Sequence, residues 1–259
     1  MTEVVEIKND KQICYITMNR PDKRNALSVE LVTKTIHALK EAEKDDHVRA
    51  IILSGAGKAY CAGGDIDAMS SSSNSADAIT YMETASSLTK TILHLNKYVI
   101  SAVHGFAAGA GFSLALASDF IIADKQAKFV ASFRNIGLVP DLGLIKLLAE
   151  SVPSPIAKEW VASGKPISAD TLYEKGLINR LAEGKNIVKE AAEFAQFIVE
   201  GPPFSNKFVK YLFNHAGEFC HEASLMQENM IQSLMFQSED AKEGIQAFLE
   251  KRPAHFTGK

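Results

Sequence analysis

The sequence predicts an α/β fold whose C-terminal part is helical. In the first half of the chain, short apolar segments typical of buried strands alternate with longer segments whose apolar residues recur at helical spacing. The 259 residues are 46% hydrophobic and 23% charged, which is enough apolar material for one substantial core. After about Asp141 only helical patterns follow, and the composition changes near Gly184 and Lys185. We therefore expect an α/β core domain over 1–184 and a helical subdomain over 185–259.

Strands and helices alternate in the first half of the chain, and individual residues predict where some of these elements begin or end. Ser28 precedes an amphipathic segment and can cap it, because its hydroxyl accepts a hydrogen bond from a first-turn N–H. Asn9 and Asp10 separate two strand-like segments and indicate a hairpin turn. The serine-rich segment 70–75 is typical of a mobile loop. In order, we expect strands over 4–8 and 12–18, a helix over 28–45, a strand over 48–53, a helix over 76–94, a strand over 99–103, a helix over 112–117 and a strand over 120–123.

The rest of the chain is predicted to form helices only, and Ser238 can cap the last of them. We expect helices over 142–148, 154–162, 169–175, 185–200, 203–214, 218–237 and 238–251. The helix over 218–237 carries more apolar residues than one stripe can bury in a small subdomain, so we expect this surface to form an oligomer interface. Those residues are Leu225, Met226, Met230, Ile231, Leu234, Met235 and Phe236.

Two loops of small residues, 60–65 and 105–111, follow apolar strands. The second leads into the apolar helix that begins near Phe112. The first N–H groups of a helix lack an internal partner and, with the helix dipole, can hold negative charge on an oxygen. Glycines that only permit tight packing are the simpler explanation. Two nucleotide motifs fail on spacing, since Leu114 replaces the last glycine of G-x-G-x-x-G and Ile52 replaces the first glycine of a phosphate loop.

Composition and charge exclude several classes of protein. The net charge is −3, so there is no global basic signal for nucleic acid or for an anionic membrane. No apolar run is long enough to span a bilayer, and the N-terminus resembles neither a signal peptide nor a transit peptide. Cys14, Cys61 and Cys220 are few and widely spaced, which is typical of reduced thiols and not of a disulfide or metal framework. We expect a cytoplasmic protein without a metal site.

Five stretches occur together, in order: NRPDKRNALS, AYCAGGDIDAM, VHGFAAGAGFSLALASDFIIA, AKFVASFRNIGLVPDLG and EGIQAFLEKRPAHFTGK. Along nearly the whole chain they resemble the crotonase superfamily, the enoyl-CoA hydratase/isomerase family. The IGLVPD segment and the KRPAHFTGK tail are most similar to the branch that includes the phenylacetate-pathway epoxide isomerases. The resemblance implies a spiral of β-β-α turns, a homotrimer or a dimer of trimers, and an acyl-CoA thioester substrate.

The family's shared device is an oxyanion hole of two backbone N–H groups, which the resemblance places at Gly64 and Ala110. Enolising a thioester puts negative charge on its carbonyl oxygen, and fixed donors in a dry site stabilise that charge. Coenzyme A is part of the substrate, so the resemblance implies no separate cofactor. The residues that it places at coenzyme A or the acyl group are Arg24, Ala26, Ala62, Asp65, Ile66, Phe133, Phe256 and Lys259, of which the last two could reach a neighbouring subunit's ligand.

The acid and base residues depart from the hydratase pattern. Hydratases carry two glutamates, and the matching positions here are Ser113 and Phe133, which cannot act as general bases. Asp141 matches the aspartate of the epoxide-isomerase branch and suits a proton shuttle beside an oxyanion hole. It could instead be only the N-cap of the helix over 142–148.

The functions left open are an isomerase of enoyl-CoA or a related acyl-CoA, a hydratase with atypical acid and base residues, and a non-catalytic protein of this fold that binds coenzyme A or RNA. The helix over 28–45 mixes acidic and basic residues, which disfavours RNA. Among the other polar side chains, Asp65 and Asp67 could cap a helix, and Asp119 is expected to make a structural hydrogen bond.

Overall fold

A computed structural model describes residues 3–70, 74–183 and 186–259. The expected boundary at Gly184 and Lys185 lies outside these residues, as do positions 71–73 of the serine-rich segment. The division into 1–184 and 185–259 stays a prediction. Within the described ranges the strands are β1 (Val5–Asp10), β2 (Ile13–Met18), β3 (Ala50–Gly55), β4 (Tyr98–Val103), β5 (Phe106–Ala108), β6 (Phe120–Asp124), β7 (Lys128–Val130), β8 (Ile167–Ser168) and β9 (Arg180–Ala182).

The helices begin and end close to the predicted positions in most cases. They are α1 (Val29–Lys44), α2 (Ile66–Ser70), α3 (Ser75–His94), α4 (Ala110–Ala117), α5 (Leu144–Ser151), α6 (Ser154–Ser163), α7 (Ala169–Glu174), α8 (Ile187–Phe194), α9 (Gln196–Glu200), α10 (Pro203–His215), α11 (His221–Met235) and α12 (Glu239–Glu250). Ser28 caps α1 by accepting from Leu31 N, and Ser238 caps α12 by accepting from Ala241 N, as expected. The α/β class is confirmed.

One six-stranded sheet organises the core, in the order β1-β2-β3-β4-β6-β9. β1 and β2 are antiparallel, and every later neighbour pair in this sheet is parallel. Side chains of a strand point alternately to its two faces. On β3, Ile51 and Leu53 belong to the core cluster that includes α1, α3 and α4, while Ile52 faces the opposite cluster with α8 and α9. Both faces are therefore covered, which explains why β3 and β4 are mostly apolar.

The second sheet is small and determines where the site lies. β5 pairs with β7 in parallel, and β7 pairs with β8 antiparallel. β5 follows β4 directly and leads through Gly109 into α4. The small sheet therefore holds the turn before α4 close to the end of β4 in the large sheet. The expectation that only helices follow Asp141 is wrong at β8 and β9. These strands, like β5 and β7, have two or three residues each, which is too few to show a period in the sequence.

The predicted turn of the first hairpin is wrong. Asn9 and Asp10 belong to β1, and Asp10 pairs with Ile13, so the turn is formed by Lys11 and Gln12. Both have positive φ, at 47° and 66°, which is the geometry that suits the twist of a two-residue hairpin. Two further boundaries differ, since the helix expected over 185–200 is divided at Ala195 between α8 and α9, and a short 3-10 turn over 216–218 precedes α11.

A buried ion pair joins α10 to the core. Lys210 Nζ donates to Asp119 Oδ2 at 2.7 Å, to the carbonyl oxygen of Ile92 at 2.9 Å and to that of Lys97 at 3.0 Å. Asp119 Oδ2 also accepts from Val99 N at 2.7 Å, so the expected structural hydrogen bond of Asp119 is confirmed. The ammonium lies at the end of α3, where the helix dipole favours positive charge.

The helix α11 presents apolar side chains that this chain does not cover. None of its residues is buried. The most exposed large apolar side chains on it are Met226, Met230 and Leu234. In the described part of the chain, no helix combines the length and the apolar character that a membrane span requires.

Candidate active site

Two loops of small residues meet at the ends of β3 and β4. Cys61 N donates to Phe106 O at 3.1 Å, and Ala108 N donates to Cys61 O at 2.9 Å, so the first loop pairs with β5. A Cβ on Gly111 would collide with the carbonyl oxygen of Cys61. A Cβ on Gly63 would lie 2.8 Å from Ala108 O, which also leaves no room for a side chain. The glycines are needed because two backbone segments approach each other here.

The N–H groups of Gly64 and Ala110 are left without acceptors where the loops meet. Leu27 N donates to Gly63 O at 2.8 Å in a short parallel ladder with residues 63–65. Alternation along an extended segment turns the N–H of the middle residue, Gly64, away from Leu27. Ala110 is the first residue of α4 and has no acceptor within the helix. In the described part of the chain neither amide donates a hydrogen bond.

A cavity of about 300 Å³ lies in front of these two amides. It brings together most of the predicted site residues, which come from segments far apart in the chain. The predicted residues that line it are Ala26, Ala62, Gly64, Asp65, Ile66, Ala110, Phe133 and Asp141. Ile136, Leu138 and Met69 add apolar surface, so the cavity combines a few polar groups with a mostly apolar wall.

Asp141 enters this cavity with one oxygen unpaired. Its Oδ1 is buried and has no hydrogen-bond partner among the described residues. Burial raises the pKa of the Asp141 carboxyl from its ordinary value of 3.8 to about 6. Ser113 Oγ donates to the backbone oxygen of Asp141 at 3.0 Å, so the residue that replaces a hydratase glutamate holds this turn in place.

The alternative of a helix cap for Asp141 is wrong. The helix α5 begins at Leu144, its N-cap is Gly143, and no side chain caps it. Leu142 has a φ of 51° and Gly143 a φ of 88°, so the chain makes a left-handed turn directly after Asp141. A left-handed leucine costs about 1–3 kcal/mol, and burial of the Leu142 side chain offsets it. Such conformations cluster at functional sites.

Asp65 is a second carboxylate in the cavity, but it is fully partnered. Arg20 Nη1 donates to its Oδ2 at 2.7 Å, and Oδ1 accepts from Asp67 N at 3.1 Å and from Ala68 N at 3.5 Å. Burial alone would raise the pKa of Asp65, but the hydrogen bonds from Arg20 and the two amides outweigh it and lower the pKa. Asp65 therefore caps α2, as the sequence suggested, and is ionised at neutral pH.

Three predicted ligand-binding residues do not line the cavity of their own chain. Arg24 is exposed, and its carbonyl oxygen accepts from Ala62 N at 2.9 Å. Phe256 and Lys259 lie beside α12, where Phe256 O accepts from Arg49 Nη2 at 3.2 Å and Lys259 O accepts from Asp240 N at 3.1 Å. Contact of these three with coenzyme A stays a prediction.

Other candidate groups are unsuited to catalysis. The Cys61 thiol is buried and donates to Asn25 O, and burial raises its pKa to about 12, so it is not a nucleophile at neutral pH. In the described ranges no group of three or more His, Cys, Asp and Glu side chains could hold a metal ion. Tyr81 belongs to no motif in the sequence, but its hydroxyl lies behind the first loop and donates to Leu27 O at 3.1 Å.

Two free amides beside an unpaired carboxyl of raised pKa are the parts of a site that stabilises an oxyanion and transfers a proton. Comparison with known proteins agrees with this class. The family model described as enoyl-CoA hydratase/isomerase matches residues 8–259, and the chain belongs to this family of acyl-CoA enzymes.

Relatives carry names from both halves of the family's description. The chain is 33% identical to 1,2-epoxyphenylacetyl-CoA isomerase and 29% identical to 2,3-dehydroadipyl-CoA hydratase, both of Escherichia coli K12, with all of each chain covered. A crystal structure of an enoyl-CoA hydratase from Polaromonas sp. JS666 superposes with a TM-score of 0.94 at 33% identity, covering 97% of this chain and 99% of the other. These similarities confirm the crotonase fold.

Proposed function

We propose that the protein isomerises an enoyl-CoA or a related activated acyl-CoA through an enolate, with Asp141 as the only carboxylate base. The observation that carries the proposal is the unpaired, buried Oδ1 of Asp141 in the cavity that the Gly64 and Ala110 amides face. The two positions where hydratases carry glutamates hold a serine whose hydroxyl is engaged and an apolar ring. One carboxylate suffices to move a proton between two carbons, whereas syn hydration in its usual form uses two.

The reaction follows from these groups. With the thioester oxygen between the amides of Gly64 and Ala110, Asp141 removes a proton from C4 of a 2-enoyl thioester. The electrons of that C–H bond form the C3–C4 double bond. The π electrons of the C2–C3 double bond then form the C1–C2 double bond of the enolate, and the negative charge rests on the thioester oxygen. The protonated Asp141 then returns the proton to C2, which gives the 3-enoyl thioester. The reverse direction uses the same steps.

The direct test is turnover in heavy water. Wild-type protein incubated with a short 3-enoyl-CoA should form the 2-enoyl isomer and incorporate deuterium, measured by chromatography and mass spectrometry. The rate of 3-hydroxyacyl-CoA formation from crotonyl-CoA is measured in parallel. Rapid hydration would contradict the single-carboxylate argument and support a hydratase with an unrecognised second acid.

Calorimetry separates an enzyme from a binding protein. We expect acyl-CoA thioesters to bind better than the free acids, because only the thioester carries the coenzyme A portion. Binding without any turnover or exchange would support a non-catalytic member of the family. No detectable binding at millimolar acyl-CoA would refute an acyl-CoA function altogether.

We also propose that the uncovered apolar face of α11 joins copies of this chain into a trimer or a dimer of trimers. The support is the absence of any buried residue on α11 together with its exposed Met226, Met230 and Leu234. Light scattering at micromolar concentration should give a multiple of three chains. Met230→Glu should lower the mass by placing a charge in the interface, and a monomeric wild-type protein would refute the proposal.

A further inference from the structure

The hydroxyl of Tyr81 occupies a gap in the ladder that holds the first loop. A regular parallel bridge between Leu27 and Gly64 needs two hydrogen bonds, from Leu27 N to Gly63 O and from Asp65 N to Leu27 O. The first is present at 2.8 Å. At the second position, Asp65 N donates to Tyr81 Oη at 3.3 Å, and Tyr81 Oη donates to Leu27 O at 3.1 Å. The phenol therefore links the two segments of this bridge at its second position.

This link fixes the backbone on the C-terminal side of Gly64. The N-terminal side is fixed by Leu27 N on Gly63 O, and Gly64 itself makes no hydrogen bond in the described part of the chain. A Cβ built on Gly64 would lie 3.5 Å from Tyr81 Oη and 3.1 Å from Met69 Sδ, so the tyrosine also packs directly behind this residue. The direction of the Gly64 N–H is thus set by two anchors, of which one is a side chain of α3.

The Tyr81 phenol is close enough to both cavity carboxylates to feel their charges. Burial raises the pKa of its phenol, and the charges of Asp65 and Asp141 raise it further, so the hydroxyl stays protonated and remains a donor to Leu27 O. Because this proton is committed to a backbone oxygen, the phenol is not the acid or base of the reaction. The hydrogen bonds of the phenol suit a role in orienting the backbone at Gly64.

We propose that Tyr81 is a positioning residue for the Gly64 oxyanion donor, and that its hydroxyl sets the angle at which this amide meets the thioester oxygen. The inference rests on the proposed function, because it needs Gly64 N–H to bind that oxygen. Removing the hydroxyl leaves Asp65 N without its acceptor and lets the 63–65 segment turn. An oxyanion donor misplaced by about 1 Å can cost about 10²-fold in rate.

The test is Tyr81→Phe, which keeps the ring and removes only the hydroxyl. The probe is butanoyl-CoA with carbon-13 at the thioester carbonyl, whose infrared stretch falls in frequency when hydrogen bonds polarise it. Wild-type protein should lower this frequency, and Tyr81→Phe should lower it less. Isomerase kcat should fall by about 10–100-fold while KM changes little, since coenzyme A contacts are retained.

The matched control is Tyr173→Phe, the same change at an exposed tyrosine on α7. It should leave the carbonyl frequency and kcat at wild-type values. A Tyr81→Phe protein that is less stable but keeps the full carbonyl shift and kcat would overturn the positioning role and leave the proposed function intact. If wild-type protein itself does not shift the carbonyl, the oxyanion site of the proposed function fails, and the Tyr81 role fails with it.

Discussion

Asp65 and Asp141 line the same cavity, and burial acts to raise the pKa of both, but they differ in neighbouring charge and in hydrogen-bond partners. Asp65 has Arg20 at 2.7 Å and two backbone amides on its other oxygen, and its pKa is lowered. Asp141 has a buried oxygen without a partner, and burial raises its pKa to about 6. Environments that push the pKa values of two carboxyls apart assign them different roles. Here one carboxylate builds the loop and the other can exchange a proton.

The largest expected difference between the two carboxylates is the loss of turnover in Asp141→Asn. This change keeps the size of the side chain and removes the base, so isomerase kcat should fall by about 10²–10⁴-fold. Deuterium exchange into substrate should fall by a similar factor, while calorimetric affinity for a saturated acyl-CoA changes little. Asp170→Asn, the same change at an exposed position on α7, is the control and should retain full turnover. Wild-type turnover in Asp141→Asn would move the base elsewhere.

The pH dependence of kcat/KM tests which carboxylate is the base. Asp141 must be ionised to accept a proton, so kcat/KM should rise with pH to a plateau with an apparent pKa of about 6, the value that burial gives Asp141. Below that pH, activity should fall about tenfold per pH unit. A base in the surroundings of Asp65 would give a flat profile above pH 5, and such a profile would contradict the assignment.

Asp65→Asn should affect stability more than chemistry. It leaves Arg20, which is mostly buried, without its counter-charge, so the free energy of unfolding at pH 7 should fall by about 1–3 kcal/mol. The folded-state pKa of Asp65 is below its ordinary value of 3.8, so its contribution is present above that pH and is lost on acidification. Urea unfolding at pH 7 and pH 3 measures both effects. Asp67→Asn, which loses only an exposed pair with Lys23, should change stability by less than about 0.5 kcal/mol.

The smallest expected effect is a pH-dependent change in the free energy of unfolding of Asp141→Asn relative to wild type. The folded-state pKa of Asp141, about 6, exceeds its ordinary value of 3.8. The folded wild type is therefore stabilised by proton uptake in acid and loses this stability as pH rises towards 6. Relative to wild type, the variant should gain about 1–2 kcal/mol between pH 4 and pH 7, measured by urea unfolding. An unchanged difference would show that the carboxyl is not shifted.

The sequence predicted the α/β class and part of the set of residues that the structure brings together at the cavity. Those identifications depended on short motifs, because Gly64 and Asp141 lie on loops and Ala110 begins a helix, positions where periodicity carries no information. The same reasoning could not decide whether Asp141 caps a helix, since its residue type and the apolar segment after it suit a cap. The left-handed turn at Leu142 and Gly143 decides it, and a leucine in that conformation has no sequence signal.

Other features were invisible in the sequence because they depend on how segments pair in the folded chain. The hairpin turn at Lys11 and Gln12 follows from how far β1 and β2 pair, and these residues are not typical of such a turn. Tyr81 is one polar-tipped side chain on the mixed surface of α3, and only the position of Leu27 and Asp65 gives its hydroxyl a role. The tail residues Phe256 and Lys259 lie beside α12 and outside the cavity of their own chain, so their contact with coenzyme A stays a prediction.

The buried pair of Asp119 and Lys210 has a consequence for dividing the gene into fragments. A fragment that ends at the predicted boundary, residue 184, would keep the buried Asp119 carboxylate and lose the ammonium that neutralises it. An uncompensated buried charge costs about 3–5 kcal/mol, a large share of the stability of a domain of this size. The core fragment should therefore be poorly folded by circular dichroism when expressed alone, and Asp119→Asn should partly restore it. A fragment that ends after α10 keeps this ion pair and should be better folded than one that ends at residue 184.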